Sequence, residues 1–214
     1  LKPKLLASIV KAAIDAADSI PVTLKFRVGA DDEHQTFLDT GRIAEDLGAA
    51  SIALHARTAE QLYSGEANWT KIEALKQSVT SIPVFGNGDI WEPWDALRMM
   101  RSTGCDGVVV GRGCLGRPWL FGDLASVFGV NPESGGQEPT DPPLLRDVCE
   151  TMIRHAGLLV DWAGPQGIKD FRKHTSWYLK GYATGPAARH ALKMIESLDD
   201  SKLCLADLNS DLSL

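Results

Sequence analysis

The sequence predicts an α/β fold of barrel type: half of a (β/α)8 barrel followed by a small all-helical domain. Three observations carry this. First, four short apolar runs rich in β-branched residues stand out: PVTLKFRVG (21–29), AASIALHART (49–58), IPVFGNGDI (82–90) and DGVVVGRG (106–113). Nearly continuous hydrophobicity over so few residues marks strands buried on both faces of a parallel sheet. Second, the runs start 24 to 33 residues apart, the length of a βα unit. Third, each ends in polar or charged residues: Lys25 and Arg27, His55 and Arg57, Asn87 and Asp89, and Arg112. Chemistry at every consecutive strand end fits a barrel mouth better than the single crevice of an open doubly wound sheet. Four units are half of what a closed barrel requires.

The elements follow in order. LKPKLLASIVKAAIDAA reads as an amphipathic helix with Leu5, Leu6, Ile9, Val10 and Ile14 on one side. It lacks the plan of a signal peptide, and its start within a helix points to a fragment. Between the strands, HQTFLDTGRIAEDLG (34–48) ends in Gly48, a helix C-cap residue. WTKIEALKQSV (69–79) is the next helical pattern, and EPWDALRMMRSTG (92–104) has Pro93 in its first turn and Gly104 at its end. The half barrel covers 1–125. The Pro-, Gly- and Ser-rich stretch 126–143 reads as a linker. Helical periodicity then takes over in 144–164, 168–182 and 185–198, a helical domain over 144–200, with 201–214 an unpatterned tail.

With a net charge of −6, the chain is no generic polyanion binder, so a nucleic-acid contact needs a local basic patch. No apolar run approaches the length of a membrane span. Cys105, Cys114, Cys149 and Cys204 are scattered, without zinc or redox spacing, which fits reduced thiols in a cytoplasmic protein.

The candidate chemistry lies at the strand ends. GNGD (86–89) and GRG (111–113) close the last two strands; glycine loops at such positions present backbone N–H groups to an anion, and Arg112 adds a charged donor. Lys25 stands in an apolar strand, where an ammonium without a partner is costly. It could form a Schiff base, place charge against an electron-rich cofactor ring, or pair structurally with Asp89 or Asp106. His55 and Arg57 follow SIAL; His55 suits hydrogen bonding to a cofactor or base, and Arg57 opens a polar loop, TAEQLYSGEANW, suited to a phosphate. Cys114 has no histidine nearby in sequence and reads as a packed thiol. Across 166–193 there are six cations (Lys169, Arg172, Lys173, Lys180, Arg189, Lys193) and one acid, Asp170, interleaved with Trp177, Tyr178 and Tyr182. A basic, aromatic face is a candidate RNA surface, against the plainer reading of a solvated helix face.

VTLKFRVG, HARTAEQLYSGEANW, IPVFGNGDI, TGCDGVVVGRGCLGRPWLF and FRKHTSWYLKG together resemble the tRNA-dihydrouridine synthases, most closely the bacterial DusB-like branch. The resemblance implies a TIM barrel with a C-terminal helical domain. It implies FMN-dependent reduction of uridine to 5,6-dihydrouridine in tRNA, with NADPH as reductant and a cysteine on the loop after the fourth strand as proton donor. It places Lys25, His55, Asn87, Gly88, Asp89, Gly111, Arg112 and Gly113 around the FMN, and Arg57, Lys169, Arg172 and Lys173 toward RNA. The strands here match strands five to eight, so the family's N-terminal half and its proton-donor cysteine fall outside the chain. The expectation is a fragment that is inactive alone, completed by the missing half or a second chain. An aldolase-type barrel built on Lys25 and a non-catalytic RNA-binding module are the alternatives.

Overall fold

The computed structural model describes residues 2–129 and 142–208. Most of the expected linker, 130–141, and the end of the expected tail, 209–214, lie outside the described residues. The chain divides into two compact units, one formed by Leu1–Gly113 with Leu124–Gln137, the other by Cys114–Asp123 with Glu138–Leu214.

The first unit is a β/α succession. Helix α1 spans Pro3–Ala17, followed by β1 (Thr23–Arg27), α2 (Phe37–Asp46), β2 (Ser51–His55), α3 (Thr70–Ser78), β3 (Val84–Asn87), α4 (Pro93–Thr103) and β4 (Gly107–Val109). The four strands form one parallel sheet in the order β1-β2-β3-β4. This order never reverses, so the described sheet has no topological switch point; it winds as a partial TIM barrel. α2, α3 and α4 each pack on a strand adjacent in sequence, and α1 to α4 pack each on the next. They cover the face carrying Ile52, Leu54 and Val84, all inaccessible to solvent together with Ile72, Leu75 and Met99. A Cβ on Gly86 would lie 2.4 Å from the Met99 sulfur, which shows how tightly α4 rests on this face.

The opposite face carries, in register, Lys25, Ala53, Phe85 and Gly107, then Arg27, His55, Asn87 and Val109. Burial on both faces, expected for every strand, holds for β2, which is buried from Ile52 to His55, and largely for β3, where Phe85 alone is half-buried. β1 exposes Thr23 and Lys25, and β4 is only half-buried. The reason is position: β1 and β4 each have one strand neighbour among the described residues, and no described element pairs with their outer edges. The expected apolar side of α1 is likewise divided. Val10 is buried, whereas Leu5 and Ile9 are 50% and 58% exposed.

The glycine signals are realised: α4 opens with a capping box between Glu92 and Asp95 and ends at Gly104 in the left-handed conformation.

In the second unit α6 (Leu145–Ala163) packs lengthwise on α7 (Pro165–Tyr178), and α8 (Gly185–Met194) and α9 (Leu198–Ala206) close against them. Between the β4 loop and α6, helix α5 spans Leu120–Val127, so the helical pattern runs two residues into the expected linker. Val148, Met152, Ala156, Ile168, Phe171, Leu179 and Leu192 form the centre of this core. α9 corrects the reading of residues beyond 200 as unpatterned. Its start is fixed by a capping box, the Ser197 hydroxyl accepting from the Asp200 N–H at 3.0 Å, rather than by a strong apolar period. No helix among the described residues is long and apolar enough to cross a membrane.

Two substitutions test this account by urea unfolding. Leu54→Ala removes an inaccessible side chain and is expected to cost about 2–5 kcal/mol. Ser197→Ala removes one cap and is expected to cost about 1 kcal/mol.

Candidate functional site

The strand register sets the site. Arg27, His55, Asn87 and Val109 lie side by side at the C-terminal ends of four parallel strands, with Lys25 one step below on the same face. The loops that follow complete a cleft of about 290 Å³ lined by Lys25, His55, Asn87, Gly88, Asp89, Gly111, Arg112 and Gly113, together with Tyr63, Ile90, Trp91, Val109 and Val110. All eight residues expected around a cofactor therefore meet in one place.

Their individual roles differ from the expectation in several respects. Lys25 pairs with neither Asp89 nor Asp106; Asp106 instead binds Lys76 at 2.7 Å and accepts the Val84 N–H. Among the described residues Lys25 has no ion-pair partner. Its side chain is exposed on the open face, yet partial desolvation, and then the Arg27 charge, lower its pKa. His55 is buried, and its pKa is pushed down to about 4, first by burial and then by Arg27, Lys25, Arg57 and Arg112. It is neutral at pH 7. Asn87 donates its side-chain N–H to the Val109 carbonyl at 2.7 Å, tying β3 to β4 at the level of the cleft.

Arg57 is not a loop-surface residue. It is 2% exposed, and its Nη2 donates to both oxygens of Asp89 at 2.8 Å and to the Gly65 carbonyl at 2.8 Å. In this arrangement the guanidinium is turned toward Asp89 and the loop after β2. Asp89 also accepts the Ala67 N–H at 2.7 Å, and Trp69 donates its indole N–H to the Gly88 carbonyl at 3.0 Å. Burial opposes the charge on Asp89, but the Ala67 N–H, the hydrogen bond and charge of Arg57, and the charge of Arg112 outweigh it and hold the carboxyl below its usual range. Asp89 lines the cleft while its carboxylate is committed to the loop after β2.

The glycines serve loop-to-loop contact as well as the cleft. Gly88 adopts φ +131°, and a Cβ there would meet the Ala67 Cβ at 2.6 Å. A Cβ on Gly113 would meet the Ile90 carbonyl oxygen at 2.1 Å. At Gly111 a Cβ would meet nothing within 4 Å, so this glycine is the one open to the cleft.

Tyr63 and Trp91 line the cleft and were not singled out from the sequence; Arg27, noted there only as a strand-end residue, lies beside Tyr63 without lining the cleft. The Arg112 guanidinium lies 4.3 Å from the Tyr63 ring centroid and 5.3 Å from that of Trp91, and 3.9 Å from Asp89. Tyr63 falls in a stretch that reads only as polar loop, and no local spacing links it to Arg112.

The donor set is cationic: Lys25, Arg27, Arg57 and Arg112 surround His55, against the one carboxylate of Asp89. An anionic, hydrogen-bond-accepting ligand suits it; a cation does not. Cys114 lies in the single 3-10 turn Arg112–Cys114, outside the cleft lining.

The basic stretch of the second unit is also divided. Lys169, Lys173, Lys180 and Lys193 are exposed, with Lys173 bound to Asp170 at 2.8 Å. Arg172 donates to the Ile195 carbonyl at 2.6 Å, and Arg189 to the carbonyls of Leu179 and Tyr182. Tyr178 and Tyr182 are buried, which leaves Trp177, 40% exposed, as the aromatic on this surface.

The depressed His55 pKa makes stability depend on pH. The unfolded imidazole binds a proton near pH 6.5 and the folded one only near 4, so the unfolded state gains protons first as pH falls. Stability is present above pH 6.5 and lost between 6.5 and 4, on the order of 2 kcal/mol from pH 7 to pH 5. Urea titrations of wild type and His55→Asn at both pH values check this; the variant is expected to lose most of the difference.

A protein-family model described as Dihydrouridine synthase (Dus) matches residues 1–211. The chain is 53% identical over 209 residues to a probable tRNA-dihydrouridine synthase of Mycobacterium tuberculosis, covering 96% of this chain and 52% of the relative. It is 54% identical over 202 residues to the probable tRNA-dihydrouridine synthase of Mycobacterium leprae, covering 93% and 51%. It is 38% identical over 197 residues to tRNA-dihydrouridine synthase B of Xanthomonas axonopodis pv. citri, covering 92% and 57%. The chain spans about half the length of these curated relatives. With nearly its whole length matched, the chain belongs to the dihydrouridine synthase family.

Proposed function

We propose that this chain supplies half of the flavin site, and the helical RNA-binding part, of an FMN- and NADPH-dependent reductase that converts uridine to 5,6-dihydrouridine in tRNA. The observation that supports this most is the convergence of residues from four strand ends on one cationic cleft in a member of this family. The donor set tests well against FMN: a guanidinium and an open glycine for a phosphate, an ammonium for an electron-rich ring, and an amide and an imidazole for polar edges. When bound, the flavin supplies the hydride.

The chain's own residues then act as follows. Arg112, with Gly111 and Gly113, holds the phosphate, and the Gly88–Asp89 turn closes the side of the site. Lys25 offsets negative charge on the ring. His55, neutral at pH 7, serves as a hydrogen-bonding partner and not as a stored acid. No cysteine is among the residues lining the cleft, so the proton for the second uridine carbon comes from outside this chain. In this reading, residues 1–125 are the barrel half, joined through 126–143 to a tRNA-binding helical domain at 144–200. The exposed edge strand β1 and the exposed Leu5 and Ile9 support a missing half, or a second chain, beside them. The working place of such an enzyme is the cytoplasm. Family membership favours the reductase over a Lys25 aldolase.

The chain alone, with FMN, NADPH and unmodified tRNA, is expected to bind flavin weakly and to form no dihydrouridine by mass spectrometry. Full activity of the isolated chain overturns the reading of it as half a site. Gel-shift titration with tRNA examines the helical surface. Lys169→Ala with Lys173→Ala is expected to weaken binding several-fold and lower the salt dependence by about two charges. Unchanged binding counts against an RNA role. Arg172→Ala is the less clean variant, because it also removes the bond to Ile195.

A further inference from the structure

The loop after β2 is tied down at both ends by arginines, and one side chain stands between the ties. At its start, Arg27 of β1 donates to the carbonyls of Thr58 at 2.7 Å and Leu62 at 2.9 Å. At its end, Arg57 and Asp89 hold Gly65 and Ala67 at 2.8 Å and 2.7 Å. Leu62 is left at φ +49°, a left-handed conformation that costs a non-glycine residue energy and persists only where its surroundings impose it. The residue delivered by this arrangement is Tyr63. It is 59% exposed, so burial in the core does not explain its placement. Its ring lies 4.3 Å from the Arg112 guanidinium and 5.6 Å from that of Arg27, and it tilts against His55 at 6.5 Å.

We propose that Tyr63 is a positioning residue for Arg112: the loop is braced from two sides so that the Tyr63 ring, with the Trp91 ring also near, holds the Arg112 guanidinium at the anion end of the cleft. The physical case is entropic and electrostatic. An arginine side chain loses rotamer freedom when it grips an anion, and pre-ordering it against aromatic rings removes part of that loss. A ring face attracts the cation without neutralising it, whereas a close carboxylate would compete with the incoming anion. Asp89 is held 3.9 Å away by its bidentate contact with Arg57, outside hydrogen-bonding range of Arg112.

This rests on the reading that Arg112 meets a flavin phosphate, and two measurements on the chain separate the two claims. The first is the ratio of FMN to riboflavin affinity by flavin fluorescence, which reads the phosphate contact and is insensitive to a general loss of stability. Wild type is expected to prefer FMN and Arg112→Ala to lose the preference. Tyr63→Ala is expected to reduce it roughly fivefold, and Tyr63→Phe, which keeps the ring, to retain it. The second needs no flavin: the rate at which phenylglyoxal modifies Arg112, mapped by mass spectrometry. Tyr63→Ala is expected to raise that rate several-fold and Tyr63→Phe to leave it near wild type. An Arg112 rate equal in wild type and Tyr63→Ala overturns the positioning role, whatever the flavin result. A rate raised in Tyr63→Ala, together with a wild type that shows no preference for FMN, upholds the positioning of Arg112 and overturns its assignment to a flavin phosphate. Since Tyr63 is exposed, its variants fold without the penalty that replacing Arg57 would carry.

Discussion

The mouth of this sheet is organised around one buried ion pair. Arg57 and Asp89 follow neighbouring strands, and their side chains meet with both carboxylate oxygens engaged at 2.8 Å. A guanidinium as buried as Arg57 is stable only with partners, and removing one member of such a pair typically costs several kcal/mol. Here the pair does more than neutralise itself. It captures the carbonyl of Gly65 and the N–H of Ala67, bringing the long loop after β2 against the short one after β3. The Gly88 backbone, which a Cβ would push away from Ala67, is part of the same closure. Tyr63, Trp69 and the wall of the cleft depend on it.

Around that pair the local electrostatics run opposite to the whole. The chain carries −6 overall, yet the cleft is lined by two cations, Lys25 and Arg112, and one carboxylate, with Arg27 and Arg57 close behind His55. The low pKa of His55 is the record of this field: burial begins the shift, and the four neighbouring charges extend it. A cleft of this sign, with an ammonium that has no ion-pair partner among the described residues and a guanidinium near two aromatic rings, is suited to a ligand that brings its own negative charge. The helical unit uses its cations differently. Within 166–193 its two arginines bind carbonyl oxygens, and the cations of that stretch that remain exposed are lysines.

The two faces of the sheet differ for a structural reason. Helices α2 to α4 cover one face and seal its centre, leaving Ile52, Leu54 and Val84 inaccessible. The other face carries the chemistry and remains open at β1 and β4 among the described residues. In a closed barrel that face is an interior filled by side chains from the other strands. A chain with half the length of its relatives, four strands in unreversed order and an apolar helix stripe partly in solvent is consistent with that geometry.

The sequence by itself determined the β/α succession, because strand burial and helix period are local patterns with local punctuation. The capping box at Glu92 and the glycine at 104 are examples. It also determined which strand-end residues would meet in one candidate site, since residues at equivalent positions of successive units must end side by side in a parallel sheet. That is why Lys25, His55, Asn87 and Arg112 could be grouped before their contacts were seen. Only the tertiary structure decided how these side chains are used. Arg57, read as reaching outward, is buried because its partner Asp89 lies one strand away, 32 residues later. Tyr63, unremarkable in a polar loop, became part of the site because two arginines from different strands fix the backbone on either side of it. Pairings across such separations leave no period in the sequence; they follow from register and loop closure, which exist only once the sheet has formed.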